Sequence, residues 1–263
     1  MALEYEVQGT GEPVLLIHLG LCAASFAPVM DELALGGYQL VRYHRRGYAG
    51  SSAARAPVAI LDQAADVAGL VGYLGLGPMH VVGHSYGGLV ALQLALDCPD
   101  LVGSLVLMEP ALRVRSGGPA SQDLSRRMAQ GFQRYQQGDR ISAVDGFLGP
   151  LFGAGYRDAL EDVIPGGWQQ AVRDSDTFFG VEVPALQQWH FGEQEASRIQ
   201  VPVLSLVGAQ SDPALFEIEQ LLSSWFPQLE TGRVAETNHM LCLQRPDVVA
   251  AALAQFFGRH SLN

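Results

Sequence analysis

The sequence predicts an α/β protein: a mostly parallel, doubly wound sheet carrying a helical insertion. Three observations predict it. Short apolar runs alternate with helix-spaced segments up to Pro110 and again beyond Val201. One run, Met79 to Val82, ends abruptly in Gly83-His-Ser-Tyr-Gly87 and passes straight into a helical apolar pattern, Leu89, Val90, Leu92, Leu94, Leu96. Between Leu112 and Ile199 the strand rhythm disappears, and about ninety residues are too many for a structureless loop in a compact domain.

Each element follows in order. Leu3 to Val7 reads as an edge strand closed by a Gly-Thr-Gly turn, and Val14 to Ile17 as a buried strand. Ser25 is placed to cap a helix through Val29, Met30, Leu33 and Leu35, which Gly36-Gly37 stops. Tyr38 to Tyr43 is a strand, and Ile60 to Leu74 carries apolar residues at helical spacing. The run at Met79 and its helix come next, then a strand over Ser104 to Met108. After the insertion the pattern gives a strand over Val201 to Val207, a helix over Ala214 to Phe226 and a strand around Gly232 to Ala235. Pro246 opens a last helix through Phe257, with proline at its favoured first position. Strands separated by helices imply parallel pairing with helices on both faces. The division expected is a core of residues 1–111 and 200–263 with a helical cap of residues 112–199.

Composition narrows the function classes. A chain of 263 residues that is 48% hydrophobic and 16% charged has an ordinary globular core rather than disorder. All 16 basic residues are arginine, so a lysine Schiff base and a phosphate loop ending in Gly-Lys are both excluded. A net charge of −11 without basic clusters argues against nucleic acid as a partner. Cys22, Cys98 and Cys242 are an odd number, widely spaced, which suits reduced thiols better than a disulfide framework. Met1 to Gln8 lacks the marks of a secretory signal, and no stretch reaches the ~20 apolar residues needed to span a bilayer. The expectation is a soluble cytoplasmic protein acting on a small molecule, with no membrane partner; a homodimer is left open.

The chemistry centres on Ser85. In a strand–Gly-x-Ser-x-Gly–helix context the serine occupies a strained turn that holds its hydroxyl clear of the backbone. Gly83 and Gly87 stand where larger side chains would collide across so sharp a bend. A serine hydroxyl is a weak nucleophile until a base takes its proton, and that base needs a carboxylate to orient it. Of the seven histidines, His239 is best placed, past the last strand and ahead of the final helix. His84 points the other way along a strand–turn path and reads as structural, while His190 and His260 lack context. Two carboxylates compete for the third position, both at strand ends where open α/β sheets place their sites. Asp212, in Gly208-Ala-Gln-Ser-Asp-Pro213, is preferred over Glu109, in Val106-Leu-Met-Glu-Pro110, although Asp212 also suits a helix cap.

The chain order Ser85, Asp212, His239 resembles the α/β-hydrolase fold superfamily along nearly the whole length. Two further segments are similar to that family. His18-Leu19-Gly20 resembles its His-Gly oxyanion loop, with Leu19 in place of the usual glycine. Tyr43-His-Arg-Arg-Gly-Tyr-Ala-Gly-Ser-Ser52 resembles its Arg-Gly-x-Gly-x-Ser segment, with His44 where aspartate is common. The resemblance implies an oxyanion hole from the backbone N–H of Tyr86 and of Gly20, with Leu21 the next choice. It also implies no cofactor and no metal. His18 reads as a loop anchor and Arg46 as a loop brace. Trp168, Phe178, Phe179, Leu186, Trp189 and Phe191 supply the cap with aromatic and apolar mass, and nine arginines from Arg113 to Arg198 read as a solvated, ion-paired face.

The activity this implies is hydrolysis of a small, largely apolar ester, lactone or related acyl compound, by Ser85 attack with His239 as base. Three rivals share the fold: hydrolysis of a C–C bond or perhydrolase and haloperoxidase reactions, a small-molecule receptor with residual hydrolysis, and a regulatory protein with a degenerate site.

Overall fold

Alternation along the strands sorts the apolar residues onto two faces of one sheet. The computed structural model describes residues 1–55, 58–113 and 118–262. Its strands are β1 (Tyr5–Gln8), β2 (Glu12–Ile17), β3 (Tyr38–Tyr43), β4 (Met79–His84), β5 (Val102–Met108), β6 (Val203–Gly208) and β7 (Leu229–Val234). They lie in the order β1-β3-β2-β4-β5-β6-β7. Among the described residues only β1 runs antiparallel, against β3; the remaining pairs are parallel. The expected α/β class and doubly wound sheet are therefore what the chain forms.

The helices are α1 (Ala27–Met30), α2 (Ile60–Leu74), α3 (Tyr86–Asp97), α4 (Pro119–Gln136), α5 (Arg140–Phe152), α6 (Tyr156–Val163), α7 (Gly167–Arg173), α8 (Ser175–Thr177), α9 (Val183–Gln188), α10 (Glu193–Ala196), α11 (Pro213–Trp225), α12 (Leu241–Gln244) and α13 (Pro246–Arg259). A π-helical turn, Phe178–Glu182, joins α8 to α9. Leu15, Ile17, Val81, Leu105 and Leu107 pack on one face against α2, α3 and α11. Val14, Leu16, Val82, Val106 and Met108 pack on the other against α1 and α13. Residues two apart share a face because successive strand side chains alternate, and this alternation fixes the register.

The helix expected from Ser25 departs from its pattern. It breaks into α1 and a separate 3₁₀ turn, Leu33–Leu35, because Glu32 adopts an extended backbone between them. Ser25 is buried and does not cap; Phe26 holds the N-cap position and makes no side-chain cap bond.

Helices α4 to α10 all fall between β5 and β6 in the chain. Their apolar faces form a cluster that includes Leu124, Leu148, Leu151, Phe152, Phe178 and Phe179, closed by Leu19, Leu21, Ala214 and Met240 from the strand ends. This layer covers the carboxyl ends of the parallel strands, the end at which open α/β sheets gather their sites.

Candidate active site

Ser85 sits at φ 52°, ψ −115°, immediately after β4 and before α3. A non-glycine residue with positive φ costs of order 1–3 kcal/mol unless its surroundings hold it. Here they do: its N–H donates to Met108 O at 2.9 Å, and its carbonyl accepts from Gly88 N–H (3.0 Å) and Ala111 N–H (3.1 Å). The flanking glycines are sterically required. A Cβ at Gly83 would lie 2.5 Å from Gly87 O, and one at Gly87 would lie 2.2 Å from Ile17 O. Two other non-glycine residues of the site, Leu21 (φ 67°) and Glu109 (φ 47°), also have positive φ.

His239, in the loop after β7, is buried at 2% exposure. Its Nδ1 donates to Glu109 Oε2 at 2.5 Å. Asp212, expected in that place, does not meet the imidazole. One of its oxygens accepts from Ala214 N–H at 2.9 Å and so caps α11, and the other is held by Arg127 of α4. Glu109 meets the imidazole instead, for a geometric reason. It directly follows β5 while His239 follows β7, so its carboxylate must cross the end of β6, which lies between them. Gly208, the last residue of β6, donates its N–H to Glu109 Oε1 at 2.8 Å. The Ser211 hydroxyl donates to the same oxygen. A side chain at Gly208 would collide with Thr237 O at 2.6 Å. Fixed donors of this kind hold a buried carboxylate in one orientation.

With Nδ1 turned to Glu109, Nε2 is the ring nitrogen of His239 left for another partner. That Nε2 is buried and makes no hydrogen bond among the described residues. Ser85, His239, Gly20 and Tyr86 all line one cavity of about 550 Å³ between the strand ends and the inserted helices. Its wall is mainly apolar, with Leu124, Met128, Phe132, Phe147, Phe178 and Leu215 prominent. Of the aromatic residues expected in the insertion, Phe178 and Phe179 face the cavity. Trp189 and Phe191 instead stack on each other and pack on the core beside α11, with ring centroids 5.6 Å apart.

The strand-end loops place the remaining expected residues. His18 is fully buried; its Nδ1 donates to Leu19 O at 2.7 Å and its Nε2 accepts from Arg45 N–H at 3.0 Å. Burial, with the Arg45 charge second, holds its pKa well below that of a free imidazole, so it is a neutral loop anchor. Arg46 braces α2 through both oxygens of Asp66, at 2.5 Å. His84 lies with its ring 4.9 Å from that of His239 and is also kept neutral by burial. His84, Glu109 and His239 bring potential metal-ligand atoms within 4.8 Å of one another. A cation there would have to separate His239 from its carboxylate, so the donor set suits the imidazole–carboxylate pair better than a metal. Cys22, Cys98 and Cys242 are free thiols, and burial pushes Cys22 up to about 12.

Sequence reasoning passed over Arg45, Tyr48 and Glu182. Arg45 and Glu182 are each 1% exposed and form a buried ion pair, with Arg45 NH1 2.6 Å from Glu182 Oε1. The available signal is weak: Arg45 stands beside Arg46 in the Tyr43 to Ser52 segment, but Glu182 belongs to no motif.

This strand order, with a strained serine after β4 and a carboxylate-bound histidine after β7, defines an α/β-hydrolase-type architecture. Residues 13–246 match the family described as the alpha/beta hydrolase fold, and the chain belongs to it. A protein of Azorhizobium caulinodans named as carbamate hydrolase RutD is 26% identical over 97% of this chain and 95% of its own length. The RutD-named protein of Variovorax paradoxus is 46% identical, but over 41% of this chain and 42% of its own length. Among solved structures, a thermophilic esterase from Thermogutta terrifontis superposes with a TM-score of 0.82 at 21% identity, covering 98% of this chain and 94% of that one. The enol-lactonase of Burkholderia xenovorans gives 0.77 at 21% identity, covering 97% and 96%. At such identities the superpositions speak for the fold. No described helix is long and apolar enough to cross a membrane.

Proposed function

We propose that the protein is a cofactor-independent serine hydrolase acting on a small, largely apolar ester, lactone or related acyl substrate, with the inserted helices as its cap. The observation that carries this reading is His239: Nδ1 committed to Glu109, Nε2 buried and unpartnered, in the cavity that Ser85 also lines. In the reaction, Ser85 Oγ attacks the acyl carbon while its proton passes to His239 Nε2. Glu109 stabilises the resulting imidazolium and holds the ring in orientation. The tetrahedral oxyanion is met by the backbone N–H of Tyr86 and of Gly20. Tyr86 opens α3, where N–H groups lack intrahelical acceptors and the helix dipole favours negative charge. Leu21, the other candidate donor, directs its N–H to Tyr48 Oη at 3.5 Å, which favours Gly20. Collapse expels the alcohol, which takes the proton from His239. Water then attacks the acyl-enzyme by the same proton route and releases the acid.

The cavity's size and apolar wall favour a hydrophobic acyl or aromatic group over a small polar carbamate, although carbamate cleavage would use the same chemistry. The test uses 4-nitrophenyl esters of graded chain length and a fluorophosphonate probe. Ser85→Ala is expected to abolish labelling and to lower kcat by on the order of 10⁶-fold. Labelling that persists in this variant would remove Ser85 as nucleophile.

A further inference from the structure

The Arg45–Glu182 pair is buried at a cost, since each ion gives up its water and the pair alone recovers little of that loss. Its hydrogen bonds run to an informative set of places. Glu182 lies in the π-helical turn between α8 and α9, and Arg45 follows β3. From Arg45, NH2 continues to Leu19 O at 3.2 Å, the same carbonyl that receives His18 Nδ1–H. From Glu182, Oε2 accepts the Tyr48 hydroxyl proton at 2.6 Å. That phenol has only one proton, so at Leu21 N–H it must act as acceptor. Arg45 NH1 also donates to Gln63 Oε1 at 3.2 Å, and Gln63 Nε2 donates to the Tyr86 hydroxyl at 3.2 Å. The guanidinium lies over the Tyr86 and Tyr48 rings, 4.6 and 5.0 Å from their centroids.

These arms end on the two peptide planes that flank Gly20 and on the side chain of Tyr86. In a planar trans peptide the C=O and the following N–H point in opposite directions. Holding Leu19 O toward Arg45 and His18 therefore aims Gly20 N–H the other way, and holding Leu21 N–H on Tyr48 fixes the next plane. Leu21 keeps its positive φ of 67° within this restraint. The insertion also seals Gly20 from above: a Cβ there would lie 2.4 Å from the Phe178 ring, four residues before Glu182.

We propose that Glu182 is a positioning residue for the oxyanion hole: through Arg45 and Tyr48 it sets the direction of Gly20 N–H and steadies Tyr86, so that seating of the inserted helices and assembly of the hole are one event. The proposal rests on the serine-hydrolase reading above. It adds a requirement for a carboxylate at residue 182, because Arg45 NH1 and the Tyr48 hydroxyl donate to different oxygens, and an amide in the same orientation would present an acceptor to only one of them. No atom of Glu182 touches the reacting groups.

The experiment compares Glu182→Gln and Tyr48→Phe with the wild type on 4-nitrophenyl butyrate, with folding checked by thermal melts. A misdirected hole weakens the transition state more than the substrate. The expected result is a kcat lowered about 10–100-fold with KM changed less than about threefold, against the 10²–10³-fold typical of a donor removed outright. Inhibition by an alkyl trifluoromethyl ketone, whose adduct with Ser85 carries an oxyanion, should weaken in parallel. Binding of the matching alkyl alcohol, which carries no negative charge, should not. Tyr48→Phe keeps the ion pair and should retain the wild-type melting temperature to within a few degrees, so its kcat loss would not reflect unfolding. A folded Tyr48→Phe or Glu182→Gln enzyme with kcat within twofold of wild type and unaltered ketone inhibition would overturn the proposal alone. Absence of Ser85-dependent turnover in the wild type would overturn the underlying reading, and this proposal with it.

Discussion

Glu109 and Asp212 follow neighbouring strands of the same sheet, β5 and β6, yet their surroundings differ in kind. Glu109 is 1% exposed, accepts from Gly208 N–H and Ser211, and holds His239. Asp212 caps α11 and pairs with Arg127, whose side chain is 37% exposed, at the seam between α4 and α11. On the same seam Glu217 of α11 caps α4, accepting from Ala120 N–H at 3.1 Å and Ser121 N–H at 2.9 Å. The strand ends thus hold a dry polar cluster, and the seam a partly solvated one. The comparison teaches that a carboxylate's role is set by which donors reach it. Its place in the chain only limits the choices.

Exchanging the charge at each position gives the largest expected contrast. Glu109→Gln removes the carboxylate that fixes the His239 tautomer and should lower kcat by roughly 10⁴-fold. Asp212→Asn keeps a good helix cap, since asparagine serves as well as aspartate there, and should lower kcat less than about tenfold. Steady-state kinetics on one ester decides between them. The reverse ranking would break the comparison and restore Asp212 as the acid.

The second test separates the regions by pH. At the strand ends, burial lowers the pKa of both His18 and His84 well below the ordinary value of 6.5. Below pH 6.5 the unfolded chain binds these protons and the native protein does not, so stability present at neutral pH is lost as pH falls from there toward the depressed native values. Each such histidine adds a slope of up to ~1.4 kcal/mol per pH unit. Urea unfolding at pH 7.5, 6.5 and 5.5 should show the decline, and His84→Gln should flatten it by about one proton. A slope unchanged in that variant would place the acid sensitivity elsewhere.

How far this was readable from the sequence differs between the same two regions. Strand positions, the Ser85 turn and the His239 loop follow from local patterns: apolar runs, glycine spacing and a proline-opened helix. The choice of acid does not. It depends on β6 lying between β5 and β7 and on the Gly208 N–H and Ser211 hydroxyl meeting Glu109, facts of topology and packing that no local window contains. Asp212 beside Pro213 carries a true local signal, and that signal is for a helix cap. Arg45 and Glu182 are 137 positions apart in the chain, and only the seating of the insertion on the core brings them together. Local chemistry was legible; long-range pairing was not.

The smallest effect belongs to the seam itself. Arg127 bridges Asp123 and Asp212, and the carboxylates beside it hold its pKa above the ordinary arginine value. Because the guanidinium remains more than a third exposed, most of that attraction is screened by water, and exposed ion pairs contribute only ~0.2–1 kcal/mol. Arg127→Gln should therefore cost under about 1 kcal/mol in urea unfolding, and the difference from wild type should shrink further at 0.5 M salt, where the Debye length falls to roughly 4 Å. Activity should stay near wild type, because among the described residues the seam shares no hydrogen bond with Glu109 or His239. A loss of several kcal/mol, unaffected by salt, would mean that the seam is as dry as the strand ends, and the distinction between the two carboxylates would then rest on geometry alone.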